Sequence, residues 1–517
     1  MHNGASIHRP HRLARRVLAL SLIAALSEAV AVAAALPADI PRQWPLPHER
    51  SAQITPLRAR LDAMRLSRPA PAGAQPRVLN VTSCADDDSA GSLRTELELA
   101  LSGDTLDLSR LTCSTISLSQ GALKVELDDL TLIGPGADRL TLDAAGRDRI
   151  LLHPGSGTLT IEGLTLAHGR FDAVDNDVGF GGCVATGSDL VLRHSVIRDC
   201  LAVGVGSYGG AVLSGYLTMS NSTVSGSTAF GDHPTNGTAA YGGGVFAYGV
   251  RILDSTISGN SAIGTDNAPL SHWEIGGGLF IARNGGSIER STISDNFAIR
   301  FAGGLTQEGE LELRNSTISG NSTAQDDGGG LRVRQSTSIR VINSTISGNH
   351  AGSRGGGISF IDNALPSTLI STIVADNQSS FGDDDVYSTM PLPVSGSHNL
   401  VMHSAANPQL PADTLGDNPL LLPLADNGGP TRTHALPADS PAIDNGDNPD
   451  SRSTDQRGAD YLREYNGSAD IGAFEKQGIA TVSVPLDGLS RAAALILAGL
   501  LAISAGLRRR RERQSSN

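Results

Sequence analysis

The sequence predicts an all-β fold, a parallel β-helix. Three observations carry that prediction: a Ser-Thr-Ile-Ser-Gly-Asn phrase recurs at short intervals, a Gly-Gly-apolar phrase runs in step with it, and the composition is rich in turn residues. Glycine supplies 60 of 517 residues, about 12% against a usual level of about 7%. Aromatic residues make up 4% and charged residues 18%, where about 25% charged is ordinary. With 39% apolar residues the chain is too hydrophobic for wholesale disorder.

The first phrase starts at Ser195 in a degenerate copy, then at Ser222, Ser255, Ser291, Ser316, Ser344 and Ser371. These starts are 27, 33, 36, 25, 28 and 27 residues apart. The second phrase sets Val184, Val212, Val245, Leu279, Leu305, Leu331 and Ile358 ahead of each copy by 10 to 13 residues. A repeat of this length means a solenoid with one supersecondary unit per repeat. Short alternating runs such as Arg332-Val333-Arg334 and Leu311-Glu312-Leu313 are strand signatures. No repeat holds ten glycine-free residues of helical spacing, which excludes ankyrin and tetratricopeptide units. The two longest repeats carry Pro234 and Pro269, so the excess length is expected as loop at one corner.

Each recurrent residue then has a structural task. The Ile of Ser-Thr-Ile is expected inward, stacked on its equivalent in the next coil. Asn260, Asn296, Asn321, Asn349 and Asn377 tolerate a left-handed turn and are placed to stack as an amide ladder. The glycine pairs permit a tight corner. Sequons at Asn221, Asn315 and Asn343 fall inside the phrase and are read as part of it, not as glycosylation sites. Upstream, Ser92 is the expected cap of a short helix carrying Leu93, Leu97 and Leu101, which would plug the first coil.

Two ends differ from this body. Residues 1–38 carry Arg9, Arg12, Arg15 and Arg16, then an apolar stretch from Val17 and small residues at Ala33, Ala35 and Ala38. That order predicts a secretory signal peptide, with an uncleaved anchor as the alternative. Residues 39–77 hold seven prolines and read as a linker. The solenoid is expected over 78–380 and further C-terminal coils over 381–475. In 476–517, an apolar run at 492–507 is followed by Arg508, Arg509, Arg510 and Arg511. Sixteen apolar residues are short of the roughly 20 that span a bilayer, and the arginines would stay cytoplasmic. This layout resembles the C-terminal sorting signals of Gram-negative surface proteins of the IPTL and PEP type, with Val484-Pro485-Leu486 departing from both consensus motifs. A plain tail anchor is the alternative. The resemblance implies sorting machinery as a partner and membrane attachment through this segment.

The formal net charge is −13, and the two termini contribute +3 and +4, which leaves −20 for the middle. So acidic a surface repels phosphate backbones, so nucleic acid is excluded as a partner. Cations and neutral or basic polymers remain open. Cys84, Cys113, Cys183 and Cys200 fit an oxidising compartment, and their order suggests Cys84–Cys113 and Cys183–Cys200. No Cys-x-x-Cys, His-Glu-x-x-His, Gly-x-Ser-x-Gly or phosphate loop is present.

Val81-Thr82-Ser83-Cys84, Gly91-Ser92-Leu93-Arg94, Gly103-Asp104-Thr105 and Leu111-Thr112-Cys113 resemble the start of bacterial surface β-helix proteins. Downstream come Asp426-Asn427-Gly428-Gly429-Pro430-Thr431, Asp439-Ser440-Pro441-Ala442-Ile443-Asp444, Asp455-Gln456-Arg457-Gly458 and Asp470-Ile471-Gly472-Ala473-Phe474-Glu475. This ending is similar to that of the choice-of-anchor Q proteins. The resemblance covers about residues 78 to 475 and implies a right-handed, pectin-lyase-like β-helix, secretion and surface anchoring. It implies no catalytic residues and no cofactor.

Enzymes that use this architecture on polysaccharides need carboxylates, a base or calcium on one face of stacked coils. The acidic loops at Asp172, Asp175 and Asp177, at Asp326 and Asp327, and at Asp383, Asp384 and Asp385 are read as solvated turns, with Ca2+ as the alternative at the first and last. Asp444, Asp455, Arg457, Asp470 and Glu475 are expected to form a structural network closing the last coils, Arg457 gripping a carboxylate with both prongs. The expected function is surface display, adhesion or polymer binding, with polysaccharide or a neighbouring cell surface as partner. A polysaccharide lyase or hydrolase is the alternative.

Overall fold

The computed structural model describes residues 73–478 apart from 175–176, 233–238, 266–272, 335–336, 362–364, 383–384, 406 and 466. The chain divides after Lys476, and of the small unit Gln477–Asn517 only the first two residues are described. The expected signal peptide, most of the linker and the C-terminal apolar run therefore lie outside the described residues. Among the described residues, no helix is long and apolar enough to cross a membrane.

Strands of two to eleven residues stack into sheets of 20, 11, 8 and 4 strands among the described residues. The pairings follow the repeat. Thr256, Ile257 and Ser258 stand opposite Thr292, Ile293 and Ser294, and the same three positions continue through Thr317–Ser319 and Thr345–Ser347, every pair parallel. On the 20-stranded sheet Val184, Val212, Val245, Leu279, Leu305, Leu331 and Ile358 form one continuous line. These residues, and Ile257, Ile293, Ile318 and Ile346, are buried in one core that runs the length of the solenoid. The fold is the parallel β-helix that the repeat predicts. Its right hand is the one that twisted strands impose on parallel crossovers.

One end of that core is closed by the predicted helix, α1, Leu93–Leu99. Ser92 caps it by accepting the Thr95 amide, and Leu93 and Leu97 face the core. The Cys84–Cys113 disulfide ties the segment before α1 to the strands after it, and Cys183–Cys200 closes a second loop.

The amide ladder is present. Asn260, Asn296, Asn321 and Asn349 each donate Nδ2–H to Oδ1 of the next asparagine at 2.8 to 3.0 Å. Each Oδ1 from Asn296 to Asn377 also accepts the backbone N–H of the preceding asparagine. The ladder explains the glycine that closes each Gly-Gly step. A Cβ at Gly278 would lie 2.8 Å from the Asn296 side chain, and one at Gly304 2.9 Å from that of Asn321. Glycine is needed there because the amide and the next coil's carbonyl, 2.7 Å from that Cβ at Gly278 and 2.5 Å at Gly304, together fill the space.

Two corrections are needed. A fourth sheet was not expected; the excess length at Pro234 and Pro269 itself falls in 233–238 and 266–272, outside the described residues. Gly179–Phe180, Gly206–Tyr208, Ala239–Tyr241 and Trp273–Ile275 form the 4-stranded sheet, stacked outside the 20-stranded one. Phe180, Tyr208, Tyr241 and Ile275 pack with Leu213, Phe246 and Phe280 into a second apolar cluster. Tyr208 stacks on Tyr241 at 5.2 Å and Phe246 on Phe280 at 5.3 Å. The few aromatics of this chain are concentrated where a strand needs cover on its outer face. The second correction concerns 415–476. This segment adds no coils; it is a strap laid back along the outside of the 11-stranded sheet, from Ser371 to Arg290. Thr292 donates to Arg432 O at 2.7 Å, Thr317 to Gln456 Oε1 at 2.6 Å, and Ala473 N donates to Thr345 Oγ1 at 3.0 Å. Thr292, Thr317 and Thr345 are consequently buried, while Thr223 and Thr256 at the same register are half-exposed.

Candidate functional site

The conspicuous polar residues of the C-terminal motif do converge, but inside the strap. Arg457 grips both oxygens of Asp455, with Nε 3.0 Å and Nη2 2.6 Å from Oδ2. Its guanidinium lies between the rings of Tyr461 and Phe474, 3.9 and 3.8 Å from their centroids. Asp455 Oδ2 also accepts the Glu475 amide. A second arginine completes the network. Arg463, fully buried, donates to Gly472 O, Asp470 O and Glu475 Oε2 at 2.8 to 3.0 Å. Asp470 accepts the Asp444 and Lys476 amides, whereas the Asp444 side chain is exposed. Burial pushes Asp470 up and Glu475 up to about 7. Every one of these buried carboxylates is spent on the strap's own backbone and arginines, so the network is a fastening.

The acidic loops are dispersed. Asp172 pairs with Arg170 at 2.8 Å and Asp326 bonds Arg300. Asp327 accepts the Arg354 amide, and Asp177 caps the Val178 amide. Asp175, Asp383 and Asp384 lie outside the described residues. Asp385 is fully buried and ends the asparagine ladder: Oδ1 accepts the Asn377 Nδ2–H and N–H, and Oδ2 accepts the His403 amide at 2.9 Å. Among the described residues no group of three His, Cys, Asp or Glu is placed to hold a metal ion.

Burial raises the Asp385 carboxyl from 3.8 to about 6. The folded chain thus holds a proton that the unfolded chain has released, and stability from this group falls as pH rises from about 4 through about 6. Asp385→Asn removes the titration. Urea unfolding across that window should show a shallower decline in the variant, and an identical slope would refute the assignment.

What faces solvent is a row on the 20-stranded sheet. Thr218, Arg251, Ser287, Glu312, Arg340, Thr368 and Ser395 occupy one register, one per coil. Successive members are about 4.8 Å apart, the spacing of paired strands. Their neighbours in sequence, such as Leu217, Val250 and Leu313, fill the core, so alternation turns this row outward. Thr368 and Ser395 share a hydroxyl bond at 2.8 Å. At the strap's margin Asp450 reaches Arg314 at 2.8 Å and Arg340 at 3.5 Å, and Arg452 reaches Glu289 at 3.6 Å. Arg251 is exposed. The arrangement alternates guanidinium, hydroxyl and carboxylate along a straight line. Sequence reasoning missed the row, and also Arg463. The alternating Leu311-Glu312-Leu313 run held a signal for the former, whereas Arg332 and Arg334 are buried and lie in another register. The latter was signalled by a carboxylate-rich motif with a single arginine to balance it.

No family model matches this chain, and no curated protein sequence matches it. A solved structure described as a pectate lyase, Pel9A, is similar at 13% identity and a TM-score of 0.43, covering 78% of this chain and 98% of that one. At that level the likeness carries no functional argument.

Proposed function

We propose that this protein is an exported, envelope-anchored β-helix that binds a neutral, hydroxyl-rich polymer, such as a polysaccharide, along the outer row of the 20-stranded sheet. The carrying observation is the row itself: one donor or acceptor per coil from Thr218 to Ser395, half-exposed or exposed and in register. Guanidinium donors beside carboxylate and hydroxyl acceptors suit vicinal hydroxyls. The net charge of −20 in the middle of the chain disfavours a polyanion. Display at the envelope rests on the terminal patterns in 1–38 and 476–517, and the strap supports it by giving the solenoid a finished, covered C-terminal half.

The test is a glycan array read with the full-length chain and with Arg251→Ala/Thr368→Val, two positions without strap contacts. Hydrogen bonds to a charged group are worth about 1.5–3 kcal/mol each, so the variant should bind at least about tenfold more weakly. A product-release assay on the bound glycan runs alongside. Undiminished binding by the variant sinks the assignment of the row, and turnover of the glycan would make the protein an enzyme instead.

A further inference from the structure

The strap covers only part of the 11-stranded sheet, and the open coil at Asn221 carries the same recognition residues as those it occupies. Three coils share one phrase: Asn221-Ser222-Thr223-Val224-Ser225-Gly226, Asn315-Ser316-Thr317-Ile318-Ser319-Gly320 and Asn343-Ser344-Thr345-Ile346-Ser347-Gly348. In the second, Asn315 Nδ2 donates to Thr454 O, Thr317 Oγ1 to Gln456 Oε1, and Ser319 Oγ meets His434 Nε2, at 3.2, 2.6 and 2.9 Å. In the third, Asn343 Nδ2 donates to Asp447 O at 2.7 Å and Thr345 Oγ1 accepts the Ala473 amide. Asn315 and Thr317 are therefore contacts for one short segment, Thr454–Gln456, while Ser319 meets a separate pass of the strap at His434. In the first coil Asn221 is exposed, and Thr223 and Ser225 are half-exposed. In the coil between it and the strap, Thr256 and Ser258 are half-exposed in the same way, while Asp254 at the Asn221 position is held by Arg290 at 2.7 and 2.8 Å.

The backbone of the vacant coil is the same as that of the filled ones. Asn221, Asn315 and Asn343 turn the corner at φ 47°, 44° and 44°. Thr223 and Ser225 stand in register with Thr256 and Ser258, and these with Thr292 and Ser294, where the strap ends. The open coils thus continue an interface already built. The charge continues too: at the strap's end Arg432 reaches Ser294 at 2.9 Å and Asp295 at 3.0 Å, and Asp199, exposed and paired with Arg198 of its own strand at 2.5 Å, holds the corresponding corner two coils beyond Asp254–Gly259.

We infer that the coil Asn221–Ser225, continued by Thr256 and Ser258, is a docking site for an extended polypeptide segment of another protein, held as the strap is held. Its backbone carbonyls face Asn221, and a side-chain amide or imidazole faces Thr223 and Ser225. An arginine on the segment suits Asp199. This surface lies on a different sheet from the polymer-binding row and does not depend on it.

The probe is a set of overlapping synthetic peptides covering residues 415–476, arrayed and read with the labelled full-length chain. Peptides containing Thr431–His434 or Thr454–Arg457 should bind. Binding should drop at least about tenfold in Asn221→Asp/Thr223→Val. Aspartate already occupies the Asn221 position at Asp254, and valine keeps the shape of threonine, so the coil is preserved. Ser225→Ala is the independent second variant, because Ala167 stands in that register two coils earlier. Three results overturn the inference: no strap peptide binds, binding survives all these substitutions because peptides displace the strap at Asn315 and Asn343, or the same substitutions abolish carbohydrate binding instead.

Discussion

Replacing Arg463 with leucine should free the strap while the coils stay folded. The guanidinium is fully buried and satisfies Gly472 O, Asp470 O and the Glu475 carboxylate together. Removing one partner of a buried pair typically costs about 3–5 kcal/mol, because the charge left behind has no compensation. Here Glu475 would keep the Tyr465 and Asp470 amides but lose its guanidinium. The coils do not share that loss, since their core runs through Ile257, Ile293, Ile318 and Ile346 without strap residues. The defect has a pH signature. Glu475 sits near 7 with its arginine present, and without it the carboxyl is pushed higher still. A protonated Glu475 needs no counter-ion, so Arg463→Leu should be milder at pH 5 than at pH 8. Hydrogen exchange of residues 415–476 at both pH values measures this. Protection equal to the parent chain at pH 8 would show that the strap does not depend on this pair.

The same contrast between coils and strap marks how much the sequence discloses. The Ser-Thr-Ile stack and the asparagine ladder are legible because each residue's partner is the same residue one repeat later. Register is then fixed by the period alone. Both disulfides are legible from their order, since each closes a short loop, of 29 and 17 residues. The strap is not legible in this way. Its contacts reach as far as 165 residues along the chain, as from Gln456 to Ser291, with Asn343 and Asp447 another distant pair, and no period connects them. Its polar motif was recognisable, yet its seat over Thr292, Thr317 and Thr345 depends on a reversal of direction that composition does not encode. The 4-stranded sheet was hidden for another reason. Its strands are only two or three residues long, and their strand character rests on Tyr208, Tyr241 and Trp273 meeting aromatics that belong to other strands. The outward row shows the converse: Arg251, Glu312 and Arg340 were in plain view, but only the register makes them one line.

Asn321→Asp, a change of a single side-chain group with almost no change in shape, should be as damaging as Asn321→Ala. Asn321 is fully buried, and all four of its ladder contacts are directional. Oδ1 accepts the Asn296 N–H and Nδ2–H at 3.1 and 2.9 Å, and Nδ2 donates to Ile293 O and Asn349 Oδ1, both at 2.9 Å. Alanine orphans two buried donors of Asn296, at about 1–3 kcal/mol each, and opens a small cavity, for a total of about 3–6 kcal/mol. Aspartate keeps the acceptor but turns a second oxygen towards two other oxygens, and places a charge where no cation stands. Its protonated form restores one donor, so Asn321→Asp should recover part of its stability as pH falls. The native chain shows why aspartate is tolerated at the ladder's end. There Asp385 Oδ2 meets the His403 N–H rather than another carbonyl. Chemical unfolding in urea at pH 7 and pH 4 reads both variants through the midpoint at constant slope. If Asn321→Asp matches the parent at pH 7, the ladder is a packing feature and its hydrogen bonds do not set the stability of the coils.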